Sequence, residues 1–203
     1  MGDACSACCD DKTVNREDEL RAQHPAGAPS RPAVLIPLKV DIKNEQVRSY
    51  KILGENEYLK NVYNWHAIPV STTLNLNDSS SFGVASLGIK DDNFVIGVIK
   101  KSAVTGVTKM PWKTNNAICF ESHSKPGESG VIFNKDINRS GRGLRRGEEM
   151  VVTVSKGLIE FHIGKERVGF REIPAEFLND EICPYIALFT DGDRVRLLER
   201  TSS

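Results

Sequence analysis

Short apolar segments separated by turn residues are the feature that most constrains what this chain can fold into. From residue 33 onward, segments of four to eight residues rich in Val, Ile and Phe recur between Gly, Pro, Asn and Asp. In one of them, Ile159, Phe161 and Ile163 alternate with Glu160 and His162. This period of two is that of a half-buried strand, and no helical period of 3.6 is sustained in the region. The pattern predicts an all-β fold, either an antiparallel sandwich or a barrel.

The predicted elements follow directly from these segments. A single helical turn is predicted at 174–178, where a proline precedes a short run ending in Leu. The predicted strands are residues 33–40, 47–53, 72–76, 82–89, 94–99, 117–120, 130–133, 149–154, 158–163, 185–189 and 194–198.

The formal net charge of zero is a cancellation between two unequal parts. The chain has 203 residues, with 27 Lys and Arg against 27 Asp and Glu. Residues 1–22 hold six acids and three bases, so this segment is net −3 and the remainder is net +3. A neutral total argues against a surface that is basic throughout, as nucleic-acid-binding domains usually are. No run of 18 apolar residues occurs, so the sequence predicts no membrane-spanning helix.

The first residues, MGDACS, match the pattern that directs N-myristoylation. The acyl group would be attached to the α-amine of Gly2 once Met1 is removed. A single myristoyl chain binds membranes only weakly and reversibly, so a second signal is required. An acidic tail would be repelled by anionic lipid, whereas Cys5, Cys8 and Cys9 can accept palmitoyl chains. We therefore expect myristoylation at Gly2 and palmitoylation at these cysteines.

Two other interpretations of the cysteine cluster stay open at this stage. Cys5, Cys8, Cys9 and His24 could form a zinc site, although adjacent cysteines and one distant histidine are poorly spaced for a closed tetrahedron. The segment could also be a disordered, thiol-bearing tail. Clustering at one end of the chain does not fit a disulfide framework, and no signal peptide precedes it. The sequence thus favours the cytosolic face of a membrane (plasma, flagellar or pellicular inner membrane) as the location.

Three prolines within residues 24–32 mark an extended linker. The predicted organisation is an acylated tail and linker over 1–32, followed by a β-sandwich domain over 33–203.

Several motifs in the second half of the chain resemble those of the SPRY (B30.2-like) family. Residues 143–154, GLRRGEEMVVTV, resemble the family's strand entry, and 157–166, GLIEFHIGKE, resemble its hairpin. Residues 182–189 and 193–198 are similar to its last two strands, and a weaker match begins at 82–84 and 94–98. The order and spacing agree over roughly residues 70–198.

The sequence also departs from the family pattern at three places. The family's aspartate before the hairpin is replaced around Ser155 and Lys156, its Asn-Gly turn becomes Gly164-Lys165, and its early Trp-Glu-Val strand has no clear counterpart. The resemblance implies two antiparallel sheets packed face to face. It further implies a non-catalytic module that binds a protein or peptide through loops on one side of the sandwich.

Four arginines within eight residues form the most notable charge cluster. Arg139, Arg142, Arg145 and Arg146 lie in a glycine-rich stretch that predicts a mobile loop. They could simply be solvated. They could also bind an acidic peptide, a phosphorylated partner or phosphoinositide headgroups, because guanidinium groups suit both carboxylate and phosphate.

The chain has two tryptophans, and one of them is a candidate partner contact. Trp112 follows Met110 and Pro111 in a loop-like stretch, so it is a candidate binding anchor, with burial in the core as the alternative. Trp65 is expected in the core.

No set of residues points to catalysis. Cys119 and His123 could suggest a thiol–imidazole pair, but Cys119 falls in an apolar run and is expected in the core. No P-loop is present, and Asp191-Gly192-Asp193 is predicted to be a β-turn rather than a calcium loop. We therefore expect neither enzymatic activity nor a metal or cofactor.

These observations together predict a membrane-anchored adaptor whose sandwich binds a protein or peptide, with no role for nucleic acid. The alternatives are a module that binds phosphoinositide or other anionic lipid, and a structural component of a membrane skeleton.

Overall fold

The structure, a computed structural model, describes residues 34–40, 49–76, 78–90, 93–104, 110–125, 127–134, 136–155 and 157–198. Gly2, Cys5, Cys8 and Cys9 lie outside the described residues, so acylation of these positions stays a prediction.

Strands make up most of the described part of the chain. In chain order they are β1 (Val34–Leu35), β2 (Tyr50–Gly54), β3 (Glu57–Lys60), β4 (His66–Ala67), β5 (Ser80–Gly88), β6 (Phe94–Lys100), β7 (Ala117–Ser122), β8 (Ser129–Phe133), β9 (Asp136–Gly141), β10 (Glu149–Ser155), β11 (Leu158–Ile163), β12 (Glu166–Glu172), β13 (Ile182–Leu188) and β14 (Arg194–Leu197). A four-residue helix, α1 (Lys101–Val104), and 3-10 turns at Pro111–Lys113 and Ala175–Phe177 complete the described elements.

The strands form two sheets. The larger has eight strands in the order β12-β11-β10-β5-β14-β3-β2, with β1 pairing parallel to β5. The smaller has six strands in the order β4-β13-β6-β7-β8-β9. All pairings other than β1–β5 are antiparallel. The structure thus confirms the prediction of an antiparallel β-sandwich.

Alternation of side chains along the strands builds the core between the sheets. On β10 and β11 of the larger sheet, Val152 and Phe161 point inward, and both are fully buried. Phe120 on β7 of the smaller sheet meets Phe161 with ring centroids 5.8 Å apart. Apolar side chains at alternate positions bury one face of each sheet, as the period of two predicts.

The smaller sheet is apolar on its outer face as well. Val95, Cys119 and Tyr185 lie on this face and pack in a second buried cluster. Trp112, in the 3-10 turn, belongs to the same cluster and covers these strands. Cys119 is 0% exposed, which confirms the expectation that it is a core residue.

The segments predicted as strands and the observed strands differ in a few places. The prediction of a strand at 72–76 is wrong, because within it only Leu74 forms a bridge, to Ile182. Of 33–40, β1 covers only Val34–Leu35, with an isolated bridge from Val40 to Val70. The predicted turn at 174–178 is the 3-10 turn Ala175–Phe177, which buries Phe177. The strands without a sequence prediction are β3, β4, β9 and β12.

Strand register brings several loops to one end of the sandwich. In the larger sheet Arg194 pairs with both Leu59 and Gly88, at the ends of β3 and β5. In the smaller sheet Leu188 pairs with both Phe94 and His66. Residues 61–65 connect β3 to β4, and residues 189–193 connect β13 to β14, so these strand ends of the two sheets lie at the same end of the sandwich. We call it the loop end, and its described residues are 61–65, 89–90, 93, 123–125, 127–128, 142–148, 164–165 and 189–193.

No described helix is long and apolar enough to cross a membrane.

Candidate functional site

The segment 142–148, which carries three of the four clustered arginines, is closely packed against the sandwich. Leu144 is fully buried, and its backbone N–H donates to Ser122 Oγ at 2.8 Å. A Cβ on Gly143 would lie 2.5 Å from both Ser122 Oγ and the carbonyl oxygen of His123. Gly143 thus permits a close backbone approach, and the mobility expected from the glycines stays a prediction. We call this segment the arginine loop.

The carboxylate of Glu148 contacts both Arg142 and Arg145 within the arginine loop. Its two carboxylate oxygens lie 2.9 and 2.8 Å from Nη1 of Arg142, and one of them also accepts the backbone N–H of Arg145 at 2.9 Å. Arg142 Nε donates to Glu166 at 2.8 Å. Partial burial disfavours the ionised form of Glu148, but the hydrogen bonds from Arg142 and Arg145 outweigh it, so its pKa lies below the ordinary value. The charge of Arg142 is therefore compensated within the fold.

A β-turn over 145–148 projects the next two arginines outward. The N–H of Glu148 donates to the carbonyl of Arg145 at 3.1 Å, and Gly147 at the third position has a φ of +83°. This φ is characteristic of a type II turn. Two backbone hydrogen bonds join the turn to Ser86 on β5. The N–H of Gly147 donates to the carbonyl of Ser86 at 2.7 Å, and the N–H of Ser86 donates to the carbonyl of Glu148 at 2.9 Å. Arg145 and Arg146 are exposed, and neither guanidinium forms an ion pair with a described carboxylate.

Arg139 lies apart from this turn, on β9. Its Nη1 donates to the backbone carbonyl of Glu128 at 2.7 Å, which links β9 to the loop before β8. The structure thus divides the four clustered arginines. Arg142 pairs with two carboxylates and the exposed Arg139 donates to a backbone carbonyl, whereas the guanidinium groups of the exposed Arg145 and Arg146 form no ion pair with a described carboxylate.

Trp112, the other proposed partner contact, is 1% exposed. Its ring packs edge-on against Trp65 at 4.7 Å and lies 6.0 Å from Tyr185. Because it covers the outer face of the smaller sheet, the ring would have to leave this cluster to reach a partner. We therefore assign Trp112 a packing role and leave it out of the candidate site.

The aromatic row that begins at Trp112 leads to the surface at the loop end. Trp65 contacts Phe189 at 5.1 Å, and Phe189 contacts Tyr63 at 4.6 Å in an edge-to-face arrangement. Tyr63 is 66% exposed and the adjacent Val62 is 39% exposed. These two residues were missed from the sequence, because an apolar pair beside Trp65 looks like core.

Fixed contacts hold the segment that presents Val62 and Tyr63. Asn64 has a φ of +120°, an unusual backbone conformation for a residue with a side chain. Its N–H donates to the carbonyl of Phe189 at 2.9 Å, and its Oδ1 accepts the N–H of Trp65 at 2.8 Å. We call residues 61–65 the tyrosine loop. Asn64 therefore uses its backbone N–H and its side-chain oxygen in internal hydrogen bonds, whereas the side chains of Val62 and Tyr63 face solvent.

Lys60 lies buried beneath the tyrosine loop. It is 0% exposed, with Nζ 2.8 Å from His66 Nδ1 and 5.2 Å from the centre of the Tyr50 ring. Tyr50 donates its hydroxyl hydrogen to the carbonyl of His66. Burial lowers the pKa of Lys60 to about 8, against the opposing effects of Asp193 and Asp191. A signal for this burial existed in the sequence, since Lys60 is two residues from Tyr58 and shares its face of β3.

The turn at 190–193 supports the tyrosine loop from the other side. Asp193 is fully buried, and its carboxylate accepts the N–H groups of Lys90 at 2.8 Å and Thr190 at 2.9 Å. Its own N–H donates to the carbonyl of Thr190 at 3.1 Å, which confirms the predicted β-turn. The N–H of Gly192 donates to the carbonyl of Lys60 at 2.9 Å and joins this turn to the end of β3.

Cys119 and His123 contact other groups among the described residues and do not form a thiol–imidazole pair there. Burial raises the pKa of the Cys119 thiol, which lies 4.0 Å from the carbonyl of Val98. His123 instead contacts Asn93 Oδ1 at 3.0 Å through Nδ1 and Glu121 at 3.4 Å through Nε2. The described part of the chain contains no group of three metal-ligating side chains.

Comparisons with known proteins agree with the architecture. No protein-family model matches the sequence, and no curated protein matches it significantly. Solved structures do match. The PSpry domain of TRIM65 superposes with a TM-score of 0.64 at 8% identity, over 82% of this chain and 94% of that one. The SPRY domain of human HERC1 gives 0.61 at 12% identity, over 81% of this chain and 100% of that one.

A toxin shares the same architecture. Stonustoxin gives a TM-score of 0.60 at 12% identity, and the match covers 81% of this chain and 29% of that one. At such low identity these similarities establish the fold of the sandwich only. They say nothing about which ligands this protein binds.

Proposed function

We propose that this protein is a non-catalytic adaptor whose SPRY-like sandwich binds a protein or peptide partner at the loop end. The observation that carries the proposal is the tyrosine loop, on which Val62 and Tyr63 are exposed while the backbone around them is fixed. Because hydrogen bonds to Ser49 and Phe189 hold the backbone of the loop, binding would cost little conformational entropy. Exposed tyrosine is also among the residue types that contribute most to protein interfaces.

The proposal includes a membrane anchor at the N-terminus. Myristoylation at Gly2 with palmitoylation at Cys5, Cys8 and Cys9 would hold the protein on the cytosolic face of a membrane. An anchored domain meets membrane-bound partners at a high effective concentration, so a modest intrinsic affinity suffices. The support for this part is the sequence pattern MGDACS, together with the acidic tail that makes a second acyl chain necessary.

Proximity labelling in cells from the full-length chain tests the partner-binding part. Tyr63→Ala should lose a set of neighbours that the wild type labels. Leu178→Ala is the matched control, because Leu178 is 58% exposed and lies outside the loop end. It should retain the whole set. Identical neighbours for the wild type and both variants would overturn the proposed site.

Membrane fractionation of the same cells tests the anchor. Gly2→Ala should move the protein to the soluble fraction, and hydroxylamine, which cleaves thioesters, should release palmitate from the wild type. Ala7→Ser, which leaves the motif and the cysteines intact, is the control. Unchanged membrane association in Gly2→Ala would contradict the anchor and leave the partner-binding part standing.

A further inference from the structure

We propose that Arg145 and Arg146 bind an anionic side chain of the partner, either a carboxylate or a phosphorylated residue. We call residues 145–148 the dibasic turn. The inference rests on the proposed function, since it names the chemistry that the loop end would recognise beside the apolar contact at Tyr63.

The first support is the way the fold treats the clustered arginines. Arg142 is compensated by Glu148 and Glu166, and Arg139 donates to a backbone carbonyl. Arg145 and Arg146 have no described carboxylate in ion-pair range and extend into solvent. The charge of Arg145 also stabilises the ionised Glu148, but neither guanidinium is in ion-pair contact with a described carboxylate, so both stay open to an external anion.

The second support is the set of hydrogen bonds that holds the backbone carrying them. Glu148 fixes the turn from within by accepting the N–H of Arg145, and Ser86 fixes it from β5. The buried Leu144 anchors the residue before it. A binding turn benefits from these contacts, because its arginines are presented from a fixed base.

The chemistry of the guanidinium group defines the ligand. Its planar N–H donors match two oxygen atoms of a carboxylate or phosphoryl group, and such charge-assisted hydrogen bonds are stronger than neutral ones. Two adjacent arginines on one turn can serve a single phosphoryl group or a pair of neighbouring carboxylates.

The surroundings of the turn favour a peptide over a bilayer as the source of the anion. Attraction to anionic lipid requires a surface that is strongly basic over several residues. Here Glu148 and Glu166 pair with the neighbouring Arg142, and the exposed Glu149 follows Glu148 in the chain, so acidic side chains are interspersed with the basic residues Arg145, Arg146 and Lys165. The exposed Tyr63 lies at the same end of the sandwich and offers a protein partner a second contact.

Titration of the full-length, ¹⁵N-labelled, unacylated chain tests the inference by NMR. The probes are acetylated hexaglutamate, an alanine peptide with one central phosphoserine, and vesicles of phosphatidylcholine with phosphatidylserine. We expect at least one of the peptides to shift the amide resonances of Arg145, Arg146 and Gly147. Which peptide does so distinguishes the carboxylate from the phosphoryl source.

Variants matched in charge show whether the effect is local. Arg145→Gln/Arg146→Gln should weaken the active peptide about ten-fold, as expected from the loss of charge-assisted hydrogen bonds. Lys51→Gln/Arg196→Gln removes the same charge from exposed positions on β2 and β14 and should bind as the wild type does. Equal thermal unfolding of both double variants shows that the comparison concerns folded proteins.

Three results would overturn the inference. They are no shift with either peptide, equal weakening in the two double variants, and shifts caused by the vesicles alone. None of them affects the labelling test with Tyr63→Ala, so failure of this site is distinguishable from failure of the proposed function.

Discussion

Glu148 binds Arg142 with both carboxylate oxygens and, through one of them, also holds the backbone N–H of Arg145. One acidic side chain thus compensates one arginine and orients the turn that presents two others. The relationship joins local electrostatics to the proposed binding surface, and it can be tested without knowledge of the partner.

Glu148→Gln should destabilise the protein by about 1–2 kcal/mol, because it weakens a charge-assisted pair and leaves Arg142 with one acidic partner fewer. Urea unfolding monitored by tryptophan fluorescence measures the change. Glu149→Gln is the control, since Glu149 is exposed, and it should change stability by less than about 0.5 kcal/mol.

The contact between Glu148 and Arg142 should also make the stability of the fold depend on pH. The pKa of Glu148 is lower in the folded protein than the ordinary 4.5, so its contribution to stability is present above pH 4.5 and is lost as pH falls through the folded value. The stability difference between the wild type and Glu148→Gln should therefore shrink on acidification. A difference that stays constant down to acidic pH would contradict this account.

Gly143→Ala should cost about 1–3 kcal/mol, because the new Cβ would be forced against Ser122 Oγ and the His123 carbonyl. Gly147→Ala should cost about 1 kcal/mol through its positive φ alone, since no atom lies within 4 Å of its Cβ position. Chemical denaturation of both variants gives the values. Gly54→Ala, which has neither constraint, serves as the control and should be close to neutral. A neutral Gly143→Ala would show that the arginine loop is free to shift.

Trp112→Ala should destabilise the protein by about 3–5 kcal/mol, because it removes the ring that covers the smaller sheet and leaves a cavity in its buried cluster. Thermal and urea unfolding provide the measurement. Removal of an exposed binding residue should cost little stability. Tyr63 is such a residue, so Tyr63→Ala should be nearly as stable as the wild type. Wild-type stability in Trp112→Ala would return Trp112 to the candidate site.

Lys60 should make stability depend on pH in the alkaline range. The folded protein releases this proton near pH 8, whereas the ordinary pKa is 10.5, so between these values the unfolded state binds more protons. Rising pH then stabilises the folded state through this group. The free energy of unfolding of the wild type, relative to Lys60→Met, should accordingly increase across that range. A stability difference between the wild type and Lys60→Met that stays constant across that range would contradict this account.

The central strands were predictable because burial on one or both faces leaves a clear apolar pattern. β11 was predicted residue for residue, and β6, β7 and β10 were predicted to within two residues at either end. β9 and β12 were missed because they are edge strands rich in charged and polar residues. Such segments become strands through pairing with a neighbour rather than through their own pattern.

The candidate site was predictable only in part, for a related reason. The arginine cluster was visible in the sequence, but its division into compensated and free members depends on Glu148 and Glu166, one of which is distant along the chain. Val62 and Tyr63 could not be distinguished from core residues, since apolar character does not reveal exposure. Trp112 illustrates the converse, as an apparent loop residue that covers a sheet.

The close approach at Gly143 has a consequence for how sequences of this kind can vary. Position 143 admits no Cβ without displacement of Ser122 or His123, whereas the side chains two and three residues later point into solvent. Related chains can therefore exchange Arg145 and Arg146 for other residues while glycine is retained at 143. A rigid base with replaceable side chains would let natural selection alter the ligand preference of this turn without disturbing the sandwich beneath it.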